Sequence, residues 1–139
     1  MNPVIKILLI IGMILIPSIL LVERFFPLFR ISGESMYPTY QSGELFLCRR
    51  ISRRGIKKLK VGDVICYKAP VGNSPVIKRI ADIYSFDFND GENVIYFDCR
   101  GDNSRHSFDS RNYGVISEFS VICRLPKKYQ RPNLSPYVE

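Results

Sequence analysis

The stretch PVIKRIADIYSFDFNDGENVIYFDC (residues 75–99) decides the fold. Val, Ile, Tyr and Phe recur along it, and Asn89-Asp90-Gly91 interrupts it once. Branched and aromatic side chains suit a pleated, half-buried surface, and an Asn/Asp/Gly cluster between two such runs is a hairpin turn. Strands are therefore expected at 75–88 and 93–99. Working outward, similar short runs bounded by Gly, Pro, Asn and Asp predict strands at 44–50, 63–68 and 119–125. No segment after residue 30 sustains a helical period. The body of the chain is expected to be all-β.

The N-terminus is built differently. Residues 4–22 read VIKILLIIGMILIPSILLV, with no charge from residue 7 onward. As a helix this segment covers roughly 28 Å, close to the hydrocarbon thickness of a bilayer. Gly12 is tolerable there, Pro17 is expected to kink the helix, and Lys6 can snorkel to the headgroups. Glu23, Arg24, Phe25 and Phe26 follow, so no small-x-small cleavage site follows the apolar run. That favours a retained anchor over a cleaved leader. Phe25, Phe26 and Phe29 interleave with Arg24 and Arg30 like an interfacial belt. The chain thus divides into an anchor and interfacial segment (1–30), a β-rich domain (31–126) and a polar, Pro-rich tail (127–139). The fold class is mainly β, with a single transmembrane helix ahead of a small all-β domain.

The 139 residues leave room for one small domain after the anchor, and the net charge is +7. Residues 49–60 (RRISRRGIKKLK) hold seven cations and no acid. Such a run is either a solvated loop or an attraction to anionic lipid. No nucleic-acid motif or aromatic interleaving accompanies it, so the bilayer is the expected partner and nucleic acid is not.

Three polar stretches can carry chemistry. Ser32-Gly33-Glu34-Ser35-Met36-Tyr37-Pro38-Thr39 is a turn directly after the anchor, where a serine hydroxyl lies near backbone amides. In Val76-Ile77-Lys78-Arg79-Ile80, a strand puts Lys78 on one face with Val76 and Ile80, and lost solvation lowers an ammonium's pKa. Residues 101–111 (GDNSRHSFDSR) close a strand, and Asp109 and Arg111 stand two apart, able to pair. A nucleophilic serine needs a proton acceptor. The sole histidine, His106, lies in that polar loop with nothing to position it. A Ser–Lys pair needs only what is present.

These stretches resemble the boxes of type I signal peptidases. Residues 32–39 are similar to S-G-x-S-M-x-P-T, Gly62-Asp63-Val64 to G-D-x-V with the valine one place early, and Lys78-Arg79 to the K-R box. Residues 101–111 match G-D-N-x-x-x-S-x-D-S-R at seven fixed positions, with Gly114 following. The resemblance implies a β-fold serine endopeptidase that removes signal peptides from exported preproteins. It implies Ser35 as nucleophile, Lys78 as general base, Ser107 as a hydrogen-bond partner orienting the lysine amine, and Asp109–Arg111 as a structural ion pair. The Ser35 N–H would serve an oxyanion hole; some members add a serine hydroxyl two residues before the nucleophile, where this chain has Gly33. It implies no cofactor and no metal, and a cell-membrane location with the domain on the extracytoplasmic side. Two departures stand out. Ala81-Asp82-Ile83 replaces a Gly-rich continuation of the base box, and the short link from Lys78 to Gly101 leaves no room for the cap domain of some relatives.

Cys48, Cys66, Cys99 and Cys123 show no C-x-x-C spacing, which argues against zinc. An oxidising compartment would permit up to two disulfides; buried free thiols are equally compatible. Three rival functions fit parts of the sequence: a specialised processing peptidase such as a pilin-maturing enzyme, a self-cleaving repressor, and an inert tethered β-module binding lipid or protein. The repressor would need a DNA-binding helical domain, which is absent here.

Overall fold

The computed structural model describes residues 1–88 and 91–125. Helix α1 (Pro3–Phe25) is capped by Asn2, whose side chain accepts the Val4 N–H at 3.0 Å, with Pro3 at the first position where no N–H is needed. The helix runs through Pro17 without a break in its assignment, and Ser18 Oγ donates to the Ile14 carbonyl at 2.7 Å. None of its residues is buried. A helix of 23 residues spans about 35 Å. One face buried against a core would mark a soluble helix; α1 is apolar and open all round, and it alone among the described helices is long and apolar enough to cross a membrane.

Strands β1 (Leu28–Arg30) and β2 (Leu45–Leu47) then pair antiparallel as a small ribbon. Phe29 was expected in an interfacial belt; instead it is half-buried on β1 and stacks on Phe46 with ring centroids 5.6 Å apart. An alternating aromatic–basic pattern suits a membrane interface and a strand equally, and pairing with β2 decides between them. The expected strand at 44–50 is divided at Cys48 into β2 and β3 (Arg49–Arg50). A single turn, α2 (Arg53–Ile56), follows, capped by Ser52 Oγ.

The remaining strands are β4 (Val64–Lys68), β5 (Pro75–Asp87), β6 (Asn93–Arg100), β7 (Ile116–Ser117) and β8 (Val121–Arg124), with one more helical turn, α3 (Ser110–Tyr113), before β7. They form a six-stranded antiparallel sheet in the order β3-β8-β4-β5-β6-β7. The strands expected at 63–68, 75–88 and 93–99 are all present. Of 119–125 only the last part is strand, because Glu118–Ser120 forms a 3₁₀ turn. Apart from Gly91, the expected turn at Asn89-Asp90-Gly91 lies outside the described residues, as does the tail 127–139. The turns α2 and α3 are four residues each, too short to leave a period in the sequence.

Strand β4 is the centre. Val64 and Cys66 face one hydrophobic cluster with Ile31, Met36, Phe46 and Leu125. Ile65 and Tyr67 face the other, with Ile80, Phe97, Cys99 and Ile116. A strand covered on both sides reads as an unbroken apolar run, as VICY does. Cys48 and Cys123 form a disulfide, their Cα atoms 5.9 Å apart, while Cys66 and Cys99 are buried free thiols. Burial pushes the Cys66 thiol up to about 12, so it is inert as a nucleophile.

Closing a loop of 75 residues removes about 4.5 kcal/mol of chain entropy from the unfolded state in the loop-closure account. Replacing Cys48 and Cys123 with Ser should therefore lower the thermal midpoint of the detergent-solubilised chain by roughly 10 °C or more. Reductant should do the same to the wild type and nothing further to the variant. An unchanged midpoint would contradict the bridge.

Candidate active site

Three segments distant in sequence meet at one end of the central strands. Ser35 sits in the turn-rich segment between β1 and β2, and Lys78 lies on β5. Residues 101–111 close β6. Lys78 Nζ donates to Ser35 Oγ at 2.6 Å. The lysine is only 4% exposed. Burial drives its pKa below the ordinary lysine value; Asp109 pulls it up and Arg111 opposes that pull. An amine that sheds its proton at such a contact can take the hydroxyl's proton in turn.

Gly101 sets the close approach. A Cβ there would lie 2.5 Å from the Ser35 carbonyl oxygen and would overlap the Ser107 side chain. Asn103 completes the clamp: its N–H donates to the Ser35 carbonyl at 2.9 Å and its side-chain amide to the Glu34 carbonyl at 3.1 Å. Both bonds occupy carbonyls of the turn. The Ser35 N–H has no hydrogen-bond partner among the described residues.

Asp109 is fully buried and is the hub of the closing loop. It accepts from Gly101 N at 2.8 Å, from Ser107 Oγ at 2.5 Å, and from Arg111 through Nε at 2.9 Å and Nη2 at 2.6 Å. Burial by itself would raise the carboxyl's pKa, but the guanidinium and the N–H and O–H donors hold it far below the usual range. Asp109 also caps α3 in a reciprocal box with Asn112, and Ser110 Oγ accepts the Cys99 N–H at 2.9 Å. The expected Asp109–Arg111 pair is thus present and bidentate.

Ser107 departs from expectation. No hydrogen bond joins it to Lys78; its hydroxyl donates to Asp109. A charged, buried carboxylate is the stronger acceptor and draws the proton. Gly33 takes a left-handed φ of 85°, and its N–H reaches Ser42 Oγ at 3.3 Å. No heavy atom lies within 4 Å of where its Cβ would stand. His106 borders the same cavity, yet among the described residues its ring has one hydrogen-bond contact, Asn103 Oδ1 at 3.4 Å, and it is exposed.

Residue-type reasoning assigned no role to Arg79 or Asp102. Arg79 donates to Asp102 through Nε at 2.9 Å and Nη2 at 2.8 Å, and through Nη1 to the Gly62 carbonyl at 2.9 Å. One guanidinium therefore ties three of the four boxes together, immediately beside Lys78. The signal was available: both residues are fixed positions in the boxes quoted above. A cavity of about 330 Å³ opens on the pair, walled by Phe29, Ile31, Met36, Phe46 and Ile77. It suits an extended, largely apolar peptide segment. Among the described residues no cluster of ligating side chains suited to a metal occurs.

Comparison with known proteins shows the family. A family model described as "Signal peptidase, peptidase S26" matches residues 4–83, more than half of the chain. The match includes Ser35 and Lys78 and stops short of the Gly101–Arg111 loop. The chain is also 34% identical over 105 residues to the mitochondrial inner membrane protease subunit 1 of Schizosaccharomyces pombe, covering 68% of this chain and 67% of that protein. The chain belongs to the signal peptidase family of peptidases, S26.

Proposed function

We propose that this protein is a membrane-anchored serine endopeptidase that removes signal peptides from exported preproteins, with Ser35 as nucleophile and Lys78 as general base. The observation that supports it is the 2.6 Å contact between a buried lysine amine and a serine hydroxyl that both line one cavity. In this reading the neutral amine takes the Ser35 proton as Oγ attacks the scissile carbonyl. The resulting ammonium then protonates the leaving amine, and water, activated by the same amine, releases the acyl group. The unpartnered Ser35 N–H is the donor for the oxyanion. With glycine at position 33, any further donor must come from the backbone or from elsewhere in the turn.

Asp109 and Arg111 are positioning residues in this scheme. They fix the loop that carries Gly101 and Asn103 and present almost no net charge to the amine. Desolvation then outweighs the pull of Asp109. Ser107 acts through the same carboxylate.

The anchor sets the substrate. Ser35 follows α1 closely in the chain, so the turn lies near the bilayer surface. A precursor whose apolar segment sits in the same bilayer presents its cleavage site at that height, and tethering both to one surface raises their effective concentration. The Cys48–Cys123 bridge favours an oxidising, extracytoplasmic side for the domain. The relative's mitochondrial inner membrane favours a second reading in which the bilayer is an organelle's. The chemistry is the same in both, and membrane fractionation of the source cell separates them.

Ser35→Ala and Lys78→Ala should each cut kcat/KM on a membrane-presented precursor by about 10⁴ or more, while His106→Ala stays within roughly threefold. Activity retained in Lys78→Ala would contradict the pair. The rate should rise with pH through a single ionisation below 10.5, because only the deprotonated amine is competent. That limb should survive His106→Ala. Arg111→Gln, which leaves the Asp109 charge unopposed, should move it to higher pH; an unmoved limb would contradict the electrostatic role. Gly101→Ala should cost about 100-fold or more in kcat, because the carbonyl it strikes belongs to the nucleophile's own turn.

A further inference from the structure

A second, larger cleft, about 1050 Å³, lies where the membrane helix meets the sheet. One wall is the end of α1, with Arg24 and Phe25, and its cap Phe26; the other is β3, α2 and the turn after it, with Arg49, Arg50, Arg54 and Lys58; Arg124 of β8 closes it. Helix α1 packs against β3, so the cleft is at the same height as the upper end of the apolar span. Of its six cations only Arg124 makes an ion pair among the described residues, with Asp63 at 2.9 Å.

Those charges are arranged against their own repulsion. Arg49 stands directly opposite Arg124 across the β3–β8 ladder. Like charges at that position destabilise a sheet unless something negative lies between them. Asp63 answers Arg124 alone. Arg50, Arg54, Lys58 and Arg24 add further charge around the same space, and Glu23, next to Arg24 in the helix, makes no ion pair among the described residues. The cleft carries an excess of positive charge that an anion would offset, and the position of α1 says which kind. Below the cleft lie Leu21, Val22 and the rest of an apolar helix exposed on all sides. A ligand with a phosphate above and hydrocarbon below matches both surfaces.

We propose that this cleft binds the headgroup of an anionic phospholipid, with the phosphate held among Arg49, Arg50 and Lys58 and the acyl chains lying along α1. The site is separate from the peptidase centre, and neither Ser35 nor Lys78 borders it. A lipid seated there fixes the height and tilt of the domain on the bilayer. It does not depend on what the enzyme cleaves.

The full chain in neutral detergent can be titrated with phosphatidylglycerol or phosphatidylcholine and read by native mass spectrometry. Wild type should hold one phosphatidylglycerol at least about tenfold more tightly than phosphatidylcholine. Each juxtamembrane cation contributes roughly fivefold to binding, so R49Q/R50Q/K58Q should weaken it about 100-fold. The control K57Q/K60Q/K68Q removes the same charge from exposed positions outside the cleft and should stay within roughly threefold. Arg50→Gln alone, a milder change, should cost about fivefold. Inorganic phosphate in millimolar excess should not displace the lipid. Equal losses in the two triple variants, no preference for phosphatidylglycerol, or displacement by phosphate would each overturn the proposal.

Discussion

An ammonium cannot be stripped of water cheaply. Lys78 is placed on β5 where almost none of it is exposed, and the charge that would repay its desolvation is withheld. Asp109 is near enough to favour the charged form, but its carboxylate is committed to Arg111, the Gly101 N–H and the Ser107 hydroxyl. What remains for the amine is a serine hydroxyl, a neutral partner that does not hold the amine in its charged form. The rest of the structure around the site follows from keeping this balance. Gly101 has no side chain because the closing loop must touch the serine's turn. Asn103 pins that turn. Arg79 anchors the strand end by spanning Gly62 and Asp102.

The sheet supplies rigidity to this arrangement in proportion to how much is buried. Strand β4 is covered on both faces and registers Ile65 against Lys78, so the lysine's part of β5 is held against the buried central strand. The ribbon β1–β2 contributes Phe29 and Phe46 to the cavity wall and is a lesser structure on its own. The disulfide closes this weak side. Cys48 immediately follows β2 and Cys123 lies in β8, so one bond ties the end of the ribbon to the main sheet. The same region adjoins α1, where positive charge meets the membrane helix. Chemistry and anchorage are thereby built at different corners of one sheet.

Much of this is legible in the sequence. Strands β4, β5 and β6 announce themselves because their side chains are selected by burial, and burial leaves a pattern of Val, Ile and Tyr. Ser35, Lys78 and the Asp109–Arg111 pair were identified from residue type and motif, and the fold brings all four to one place. What was not legible depends on partners far away in sequence. Phe29 could not be assigned to a strand without β2. Cys48 could not be matched to Cys123 from residue type or strand pattern, since the residues directly across from Cys123 are Arg50 and Cys66, and Cys48 precedes β3. The Ser107 hydroxyl had two candidate partners, and only the geometry of Asp109 chooses between them. Arg79 reads as the far half of a two-residue box until the Gly62 carbonyl is seen in front of it.

The central claim is that the Lys78 amine sheds its proton more readily than a lysine in water. It is tested most directly by following its side chain through a pH titration in a protein with isotope-labelled lysines, using Lys78→Ala to assign the resonance. The account predicts a midpoint displaced below those of the exposed lysines. A midpoint at or above 10.5, with the amine charged throughout the working range, would contradict it.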